Sequence, residues 1–386
     1  MQPLSSTALS VPASGIRAVA NLAIGRPGVI RLEIGEPDFD TPAHIVEAAH
    51  RAARDGFTRY TESKGLLSLR EAISDKLARV NAIVCPPDRV IVTHGALSGL
   101  CSTAFALLSP GDEMLIPDPG WPNWAMMIRL AGGVPVPYPC PANAGFMPDL
   151  DRLERLVSPR SRAILVNSPS NPTGAVLGPA WVQAILEFAR RHDLWVVSDE
   201  CYDEIVFEGT APSPAALDPE GRVITLHSCS KTYAMTGWRI GYASAPPPVA
   251  ALLATLQQPL LGNASSVAQK AAEAALTGPQ DCVVRMREAY RARRDIFVRL
   301  MADAGRAFQP PAGAFYAMLP LPDSVGSSTA FAMHLLQQHG IAVAPGDAFG
   351  AGGAGHVRLA LCVDEATIRS ALPVILAAAD AWDGRA

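Results

Sequence analysis

"RVITLHSCSKTYAMTGWRIGY", residues 222–242, joins an apolar, β-branched run to a polar segment that contains Lys231. The run at 222–228 is typical of a buried strand. Comparable runs lie earlier in the chain, at 89–93, 113–117, 163–167 and 194–198. Most of these runs are continuously apolar, which favours parallel strands covered by helices on both faces. We therefore predict an α/β fold in which the runs form one sheet.

Amphipathic segments separate the predicted strands. The clearest is "GLLSLREAISDKLARV" (65–80), in which apolar residues recur every three or four positions and predict one buried helix face. That face consists of Leu66, Leu69, Ile73, Leu77 and Val80. A long charged helix is predicted over 283–305. Because a chain of 386 residues exceeds the size at which one core keeps growing, we expect a second, smaller domain in this C-terminal region.

The composition excludes several classes of protein. The net charge is −4, and no block of Lys and Arg marks a nucleic-acid or anionic-membrane partner. No uncharged apolar run approaches the roughly 20 residues that span a bilayer, and the N-terminus lacks a basic, signal-like start, so a cytoplasmic protein is expected. The seven cysteines form no C-x-x-C pair, which indicates buried thiols and neither a disulfide framework nor a metal site. Small-molecule chemistry is the remaining expectation.

Polar clusters follow the predicted strands. They are "HGALSG" (94–99), "NSPSNPTG" (167–174), "DECYDE" (199–204) and "CSK" (229–231). In sheets of this kind, ligands bind outside the carboxyl ends of the strands, so the clusters are expected to form one site. Lys231 is the candidate nucleophile, because burial or nearby positive charge lowers the pKa of a lysine and activates it. Arg239 can supply that charge and can also bind a phosphate.

The segment 228–242 resembles the cofactor-lysine signature of the class I/II aminotransferases, which are fold-type I pyridoxal-phosphate (PLP) enzymes. The matching residues are Ser228, Ser230, Lys231, Gly237, Arg239 and Gly241. The resemblance implies that Lys231 forms a Schiff base with PLP and later moves a proton at the substrate's Cα. It also implies that Ser228, Ser230 and Arg239 bind the phosphate. The implied fold is a large domain with a mostly parallel seven-stranded sheet covered by helices, plus a smaller α/β C-terminal domain.

The resemblance extends to the other clusters. Asp199 would keep the pyridine nitrogen of PLP protonated, and Tyr202 and Asn171 would contact the ring oxygen O3′. The loop that carries Asn171 departs from the family pattern at Ser168, which stands before the first proline. The amides of Ala96 and Leu97 would bind the phosphate. Trp121 would stack on the cofactor, and both Trp121 and Asn171 would also contact the substrate.

Three more segments match the family. "GEPDFDTP" (35–42) implies that the backbone of Gly35 helps to bind the substrate α-carboxylate, and "GHVRLALC" (355–362) places Arg358 on the same carboxylate. Ala360 stands where the family usually has a serine. Tyr60 would reach the phosphate in the neighbouring subunit's site, which implies a homodimer with shared active sites. The implied domains are an N-terminal arm with part of the small domain (1–45), the large PLP-binding domain (46–283) and the small domain (284–386).

The expected reaction is ping-pong transfer of an amino group between an L-amino acid and a 2-oxo acid. Leu97 stands where related aspartate enzymes often carry a lysine, so we expect a neutral or aromatic amino acid rather than an acidic one. One alternative is a lyase of the same fold, such as a C–S β-eliminating enzyme. A remote alternative reads S-x-x-K as a Ser-Lys hydrolase that uses Ser228 and Lys231. "GAGGAG" (350–355) satisfies G-x-G-x-x-G but precedes a strand, which argues against a dinucleotide site.

Overall fold

Strands and helices alternate along the computed structural model, which describes residues 2–382. The strands are β1 (Ile30–Arg31), β2 (Val90–Thr93), β3 (Glu113–Asp118), β4 (Val134–Pro139), β5 (Ser161–Asn167), β6 (Trp195–Asp199), β7 (Val223–Ser228), β8 (Gly241–Ser244), β9 (Tyr316–Pro320), β10 (Ile341–Ala342), β11 (Ala344–Pro345) and β12 (His356–Ala360). The α-helices are α1 (Ser6–Leu9), α2 (Gly15–Ala23), α3 (Ala43–Arg54), α4 (Leu67–Asn81), α5 (Gly95–Leu107), α6 (Asn123–Leu130), α7 (Leu150–Leu156), α8 (Pro179–Arg191), α9 (Pro214–Leu217), α10 (Cys229–Thr232), α11 (Pro247–Leu261), α12 (Ser266–Thr277), α13 (Asp281–Asp303), α14 (Ser328–His339) and α15 (Glu365–Ala381).

The large sheet confirms the predicted fold class. Within residues 2–382, seven strands form it in the order β2-β8-β7-β6-β5-β3-β4. β8 runs antiparallel to β2 and β7, and the other neighbours are parallel. Every residue of β2 is buried, and so is every residue of β7 except the last, which agrees with a sheet covered on both faces.

Two strands of this sheet were not predicted, and both have weak strand signals. β4 reads "VPVPYP", and its three prolines lack the N–H that a central strand needs. The sheet accommodates β4 as an edge strand, paired only with β3 among the described strands. β8 is only the four residues "GYAS", too short for a periodic pattern to stand out.

The predicted helix at 65–80 is α4, and its apolar face is partly confirmed. Leu69, Ile73 and Leu77 are buried almost completely, whereas Val80 is 38% exposed. The helix ends where the backbone adopts a left-handed conformation at Ala82, and Val80 in its last turn lies outside the core. Lys76 is buried on this helix, because it forms an ion pair with Asp203. Burial of a charged group depends on such a partner, and the sequence pattern of one helix does not show it.

Smaller sheets form from the two ends of the chain. β11, β12 and β9 make an antiparallel sheet, and β1 pairs with β10. Their hydrophobic core draws on residues from Val19 to Leu32 and from Ile296 to Trp382. The first half of α13 does not pack in this core. It packs, through Tyr290 among others, in a second hydrophobic core. The proposed domain boundary between residues 283 and 284 falls inside α13, and the division into three domains stays a prediction.

Two properties of the described chain bear on the composition analysis. Among residues 2–382, no helix combines the length and the apolar character that crossing a membrane requires. All seven cysteines are free thiols, and five of them are buried. The expectation of mainly buried thiols is therefore confirmed.

Candidate active site

A cavity of about 720 Å³ lies at the carboxyl edge of the large sheet. Three of its lining residues end neighbouring strands: Asn167 ends β5, Asp199 ends β6 and Ser228 ends β7. The cavity is therefore at the edge where the sequence predicted a site. The predicted site residues that line it are Gly35, Ala96, Leu97, Trp121, Asn171, Asp199, Tyr202, Ser228, Ser230, Lys231, Arg239 and Arg358. Tyr60 is not among the lining residues and is 96% exposed.

Lys231 lies in the short helix α10, directly after β7. Its Nζ donates a hydrogen bond of 2.7 Å to the carbonyl oxygen of Gly35, which connects the sheet to the N-terminal segment. Burial lowers the pKa of Lys231, and the positive charge of Arg239 acts in the same direction. The amine therefore loses its proton more readily than an ordinary lysine, as a nucleophile or base requires.

One part of the cavity favours an anion. The α5 helix begins at Gly95, and the guanidinium of Arg239 lies against that residue, since a Cβ on Gly95 would come within 2.7 Å of Arg239 Nη2. A Cβ on Gly241 would come within 2.8 Å of the Ala96 amide nitrogen. These two glycines keep side-chain atoms away from the helix N-terminus. Free N–H groups at a helix start, with a guanidinium beside them, suit a phosphate.

Ser228 and Ser230 also line the cavity. The Oγ of Ser228 accepts a hydrogen bond of 3.1 Å from the backbone N–H of Ser230 and thereby caps α10. A hydroxyl that accepts one hydrogen bond can still donate its own proton. Ser228 can therefore cap the helix and donate to an anion at the same time.

Asp199 places a buried carboxylate in the cavity. It is 4% exposed, its Oδ2 accepts a 3.1 Å hydrogen bond from Trp124 Nε1, and its Oδ1 accepts one of 3.3 Å from the Cys201 N–H. Burial raises the pKa of Asp199. Among the described residues, no cation is in direct contact with this carboxylate. A cationic ring nitrogen would therefore stabilise its charged form.

Asn171 and Tyr202 lie between the sheet and Arg358. The Oδ1 of Asn171 accepts a 2.9 Å hydrogen bond from Arg358 Nη1, which leaves the Asn171 amide N–H group for a ligand. The Tyr202 hydroxyl is 2.8 Å from the Tyr316 hydroxyl. Burial raises the pKa of Tyr202 well above the ordinary value, so its phenol stays protonated. Both side chains can thus donate to a ring oxygen.

Arg358 is buried between two aromatic rings. Its guanidinium carbon is 4.4 Å from the ring centroid of Tyr316 and 4.9 Å from that of Phe349. Nη2 donates to the Glu33 carbonyl oxygen, whereas Nε has no hydrogen-bond partner among the described residues. An unsatisfied buried donor is costly, so this guanidinium suits a carboxylate ligand.

Gly35 is required by the close packing next to Arg358. A Cβ at this position would overlap the Tyr316 hydroxyl at 1.8 Å. The carbonyl oxygen of Gly35 accepts the hydrogen bond from Lys231. The contact of the Gly35 backbone with the substrate carboxylate stays a prediction.

Leu97 and Trp121 are among the apolar residues that line the cavity. Leu97 lies in the first turn of α5 and is 39% exposed. The ring of Trp121 packs edge-on against Trp124, with centroids 6.2 Å apart. The stacking of Trp121 on a cofactor stays a prediction.

Several lining residues were not predicted. Trp124 and Tyr316 hold predicted residues in place, and Glu33, Ser14, Ile16 and Arg17 complete the wall on the N-terminal side. Trp124 is three residues after Trp121, which precedes α6, so its proximity could have been predicted from closeness in sequence alone. The N-terminal residues reach the cavity only through tertiary packing, which leaves no local signal.

The "GAGGAG" segment forms no nucleotide-binding turn. Residues 351–353 make one turn of 3₁₀-helix, and the chain then enters β12. The Gly352 N–H donates a 2.8 Å hydrogen bond to Asp118 Oδ1, and a Cβ on Gly350 would come within 2.3 Å of the same atom. The glycines therefore allow close contact with the end of β3, on the segment that leads to Arg358.

Comparison with known proteins agrees with this geometry. The profile of the family described as aminotransferase class I and II matches residues 27–375. A probable aspartate/prephenate aminotransferase of Thermus aquaticus is 39% identical over 379 residues, which cover 96% of this chain and 98% of the relative.

Solved structures show the same relationship. Aspartate aminotransferase from Thermus thermophilus with maleate has a TM-score of 0.93 at 38% identity and covers 98% of this chain and 100% of its own. An aromatic aminotransferase from Pyrococcus horikoshii has a TM-score of 0.88 at 36% identity, with coverage of 94% and 98%. These matches leave no support for the Ser-Lys hydrolase alternative. The chain belongs to the class I and II aminotransferases and is a PLP-dependent transaminase.

Proposed function

We propose that PLP binds with its phosphate at the start of α5 and its ring nitrogen at Asp199. The residues present fit this cofactor, because an anion-favouring region and a buried carboxylate without a cationic partner both line one cavity. Ala96, Leu97, Ser228, Ser230 and Arg239 would hold the phosphate. The bound cofactor supplies an electron-accepting ring for reactions at the substrate's Cα.

The chain's own acid–base group at Cα is Lys231. Its amine, with a pKa lowered by burial, removes the proton from Cα of the amino acid donor. In the second half of the ping-pong cycle, the same amine returns a proton to Cα of the 2-oxo acid acceptor. Tyr202 and Asn171 would hold the cofactor ring by donating hydrogen bonds to its oxygen, and Trp121 would pack against the ring.

Arg358 binds the substrate's α-carboxylate. The observation that carries this assignment is its unpartnered Nε, buried beside the Asn171 contact and between two rings. A bidentate carboxylate would satisfy that donor and orient the substrate's Cα toward Lys231.

The donor is a neutral or aromatic amino acid. Leu97 and Trp121 give the cavity an apolar wall, and hydrophobic contacts with the donor side chain discriminate among substrates by factors of about 10 to 200. The solved relative named as an aromatic aminotransferase supports this preference. The relatives named as aspartate enzymes define the competing outcome, in which aspartate is the donor.

A panel of half-reactions tests the preference. Each amino acid is mixed with the PLP form, and conversion to the pyridoxamine form is followed by absorbance. We expect kcat/KM for leucine, methionine or phenylalanine to exceed that for aspartate by about tenfold or more. A tenfold advantage for aspartate would refute the preference, and release of ammonia would indicate elimination.

We also propose that the protein is a homodimer with shared active sites. Tyr60 supports this, because its side chain is 96% exposed and outside the cavity of its own chain, where a partner subunit can reach it. Tyr60 would donate to the cofactor phosphate of the partner's site.

Replacing Tyr60 tests the shared site. Tyr60→Phe removes one hydroxyl, and a hydrogen bond to a charged group contributes about 1.5–3 kcal/mol, so we expect PLP to bind about tenfold more weakly. Cofactor dissociation constants and sedimentation of the native protein provide the measurement. A monomer that binds PLP with unchanged affinity after the substitution would contradict the proposal.

A further inference from the structure

Asp118 carries a carboxylate that the proposed function does not use. It is the last residue of β3, is half-buried and lies outside the cavity lining. Its Oδ1 accepts a 2.8 Å hydrogen bond from the backbone N–H of Gly352, which is 234 residues away in sequence. Among the described residues, no cationic side chain pairs with this carboxylate. The contact with Gly352 therefore connects the large sheet to a distant loop.

The loop at 346–355 joins β11 to β12, and two hydrogen bonds hold it to the end of β3. The first is the bond from Gly352 to Asp118. In the second, the Gly120 N–H donates to the Phe349 carbonyl oxygen at 2.8 Å. The fit is close, since a Cβ on Gly352 would come within 2.7 Å of the Asp118 carbonyl oxygen. The 346–355 loop is therefore anchored at two points.

The anchored loop supplies one of the two aromatic rings that pack on Arg358. The ring of Phe349 is buried, and its centroid is 4.9 Å from the Arg358 guanidinium carbon. The other ring, that of Tyr316, belongs to β9, which pairs directly with the strand that carries Arg358. Phe349 lies outside the strands, so the 346–355 loop and its two anchors determine where its ring packs.

We propose that Asp118 is a positioning residue for the substrate's α-carboxylate. It acts through the Gly352 amide and the ring of Phe349 on the Arg358 guanidinium. This inference rests on the proposed function, in which Arg358 binds that carboxylate. A hydrogen bond to a charged acceptor is about twice as strong as a neutral one, so the carboxylate of Asp118 is a firm anchor for a backbone amide. Precise placement matters, because a misplacement of about 1 Å can cost about 10²-fold in rate.

The experiment compares two ligands that differ in the α-carboxylate. L-Phenylalanine and 2-phenylethylamine are each mixed with the PLP form, and their Kd values are obtained from the concentration dependence of the change in cofactor absorbance. In Asp118→Ala, we expect the Kd for phenylalanine to rise about tenfold, with the value for phenylethylamine changed by less than about twofold. Asp118→Asn keeps an oxygen acceptor for the Gly352 amide and should recover most of the affinity. A merely structural role would weaken both ligands alike.

Phe349→Leu tests the route of the effect. If Asp118 acts through the Phe349 ring, the variant with both Asp118→Ala and Phe349→Leu should bind phenylalanine about as weakly as the weaker-binding single variant. Independent sites would instead multiply their losses of affinity, and that result would overturn the proposal.

Asp112→Ala is the matched control. Asp112 lies directly before β3, at its opposite end, and also accepts a backbone hydrogen bond, of 2.9 Å from the Ser109 N–H. It is half-buried and outside the cavity lining, so its replacement should leave both Kd values within about twofold. A carboxylate-selective loss in Asp112→Ala equal to that in Asp118→Ala would overturn the proposal. Equal loss of both ligands in Asp118→Ala, or no loss of either, would also overturn it.

Arg358→Gln separates this inference from the proposed function. If Arg358→Gln weakens phenylalanine selectively and Asp118→Ala does not, the positioning role of Asp118 is wrong and the role of Arg358 stands. If Arg358→Gln weakens both ligands alike, the assignment of Arg358 to the α-carboxylate is wrong, and the role of Asp118 fails with it.

Discussion

Lys231→Ala is expected to lower the rate of amino transfer by about 10⁴-fold or more. A positioned acid–base group contributes about 10² to 10⁴, and this substitution also removes the amine that binds the cofactor covalently. Nζ of Lys231 is held by the Gly35 carbonyl at 2.7 Å, and no other lysine lines the described cavity to replace it. Single-turnover conversion of the donor, followed by cofactor absorbance, provides the measurement.

Lys270→Ala is the control for this result. Lys270 lies in α12, outside the cavity lining, and forms an ion pair with Glu273. Its replacement should leave the rate within about twofold, because Lys270 contacts no residue assigned to the reaction and its ion pair is only partly buried. A Lys231→Ala protein that transfers amino groups at more than about one hundredth of the native rate would exclude Lys231 as the base.

The lowered pKa of Lys231 also predicts how the reactivity of its amine changes with pH. Only the neutral amine of Lys231 can react with the cofactor aldehyde, so the rate at which the cofactor-free protein takes up PLP should rise with pH as Lys231 loses its proton. Because burial lowers the pKa of Lys231, the midpoint should lie below the ordinary lysine value of 10.5.

The sequence predicted the parts of the fold whose signals are local. Strands such as β2 and β7 are apolar along their whole length because both sheet faces are covered, and this pattern is visible in a single sequence. β4 was missed because alternating prolines argue against a strand, and only its edge position makes them acceptable. Burial of Lys76 was missed because Asp203 is 127 residues away in sequence.

The site was predictable to the extent that its residues belong to motifs. Asp199 and Lys231 directly follow or end apolar strands, and the rule for the carboxyl edge of a sheet places them together. Tyr316 and Arg17 come from segments that reach the cavity through packing of the N-terminal and C-terminal regions. No periodicity within α2 shows that its first turn borders a cavity lined mainly by residues 96–239.

Asp199→Asn is expected to lower kcat/KM by about 10³-fold. The amide has nearly the same shape and can still accept the hydrogen bond from Trp124, so the geometry is retained and the negative charge is lost. Removal of one preorganised electrostatic group at a reacting centre typically costs 10²- to 10³-fold. Asp199→Glu should recover part of the rate, because it restores the charge. Steady-state kinetics with a saturating acceptor provide the measurement.

The same substitution should not destabilise the cofactor-free protein. Burial raises the pKa of Asp199 in the folded state, so the unfolded chain releases this proton more readily, and folding loses stability as pH rises above the ordinary aspartate value of 3.8. Asparagine has no such proton, so at pH 8 the Tm of Asp199→Asn should equal or exceed that of the native protein. Asp112→Asn, directly before β3 and outside the cavity lining, is the control for activity and should change it by less than about threefold. If Asp199→Asn lowers the Tm and leaves the activity unchanged, Asp199 is a structural residue. If the activity is lost and the Tm is retained, the buried charge of Asp199 serves the reaction and lowers the stability of the folded protein.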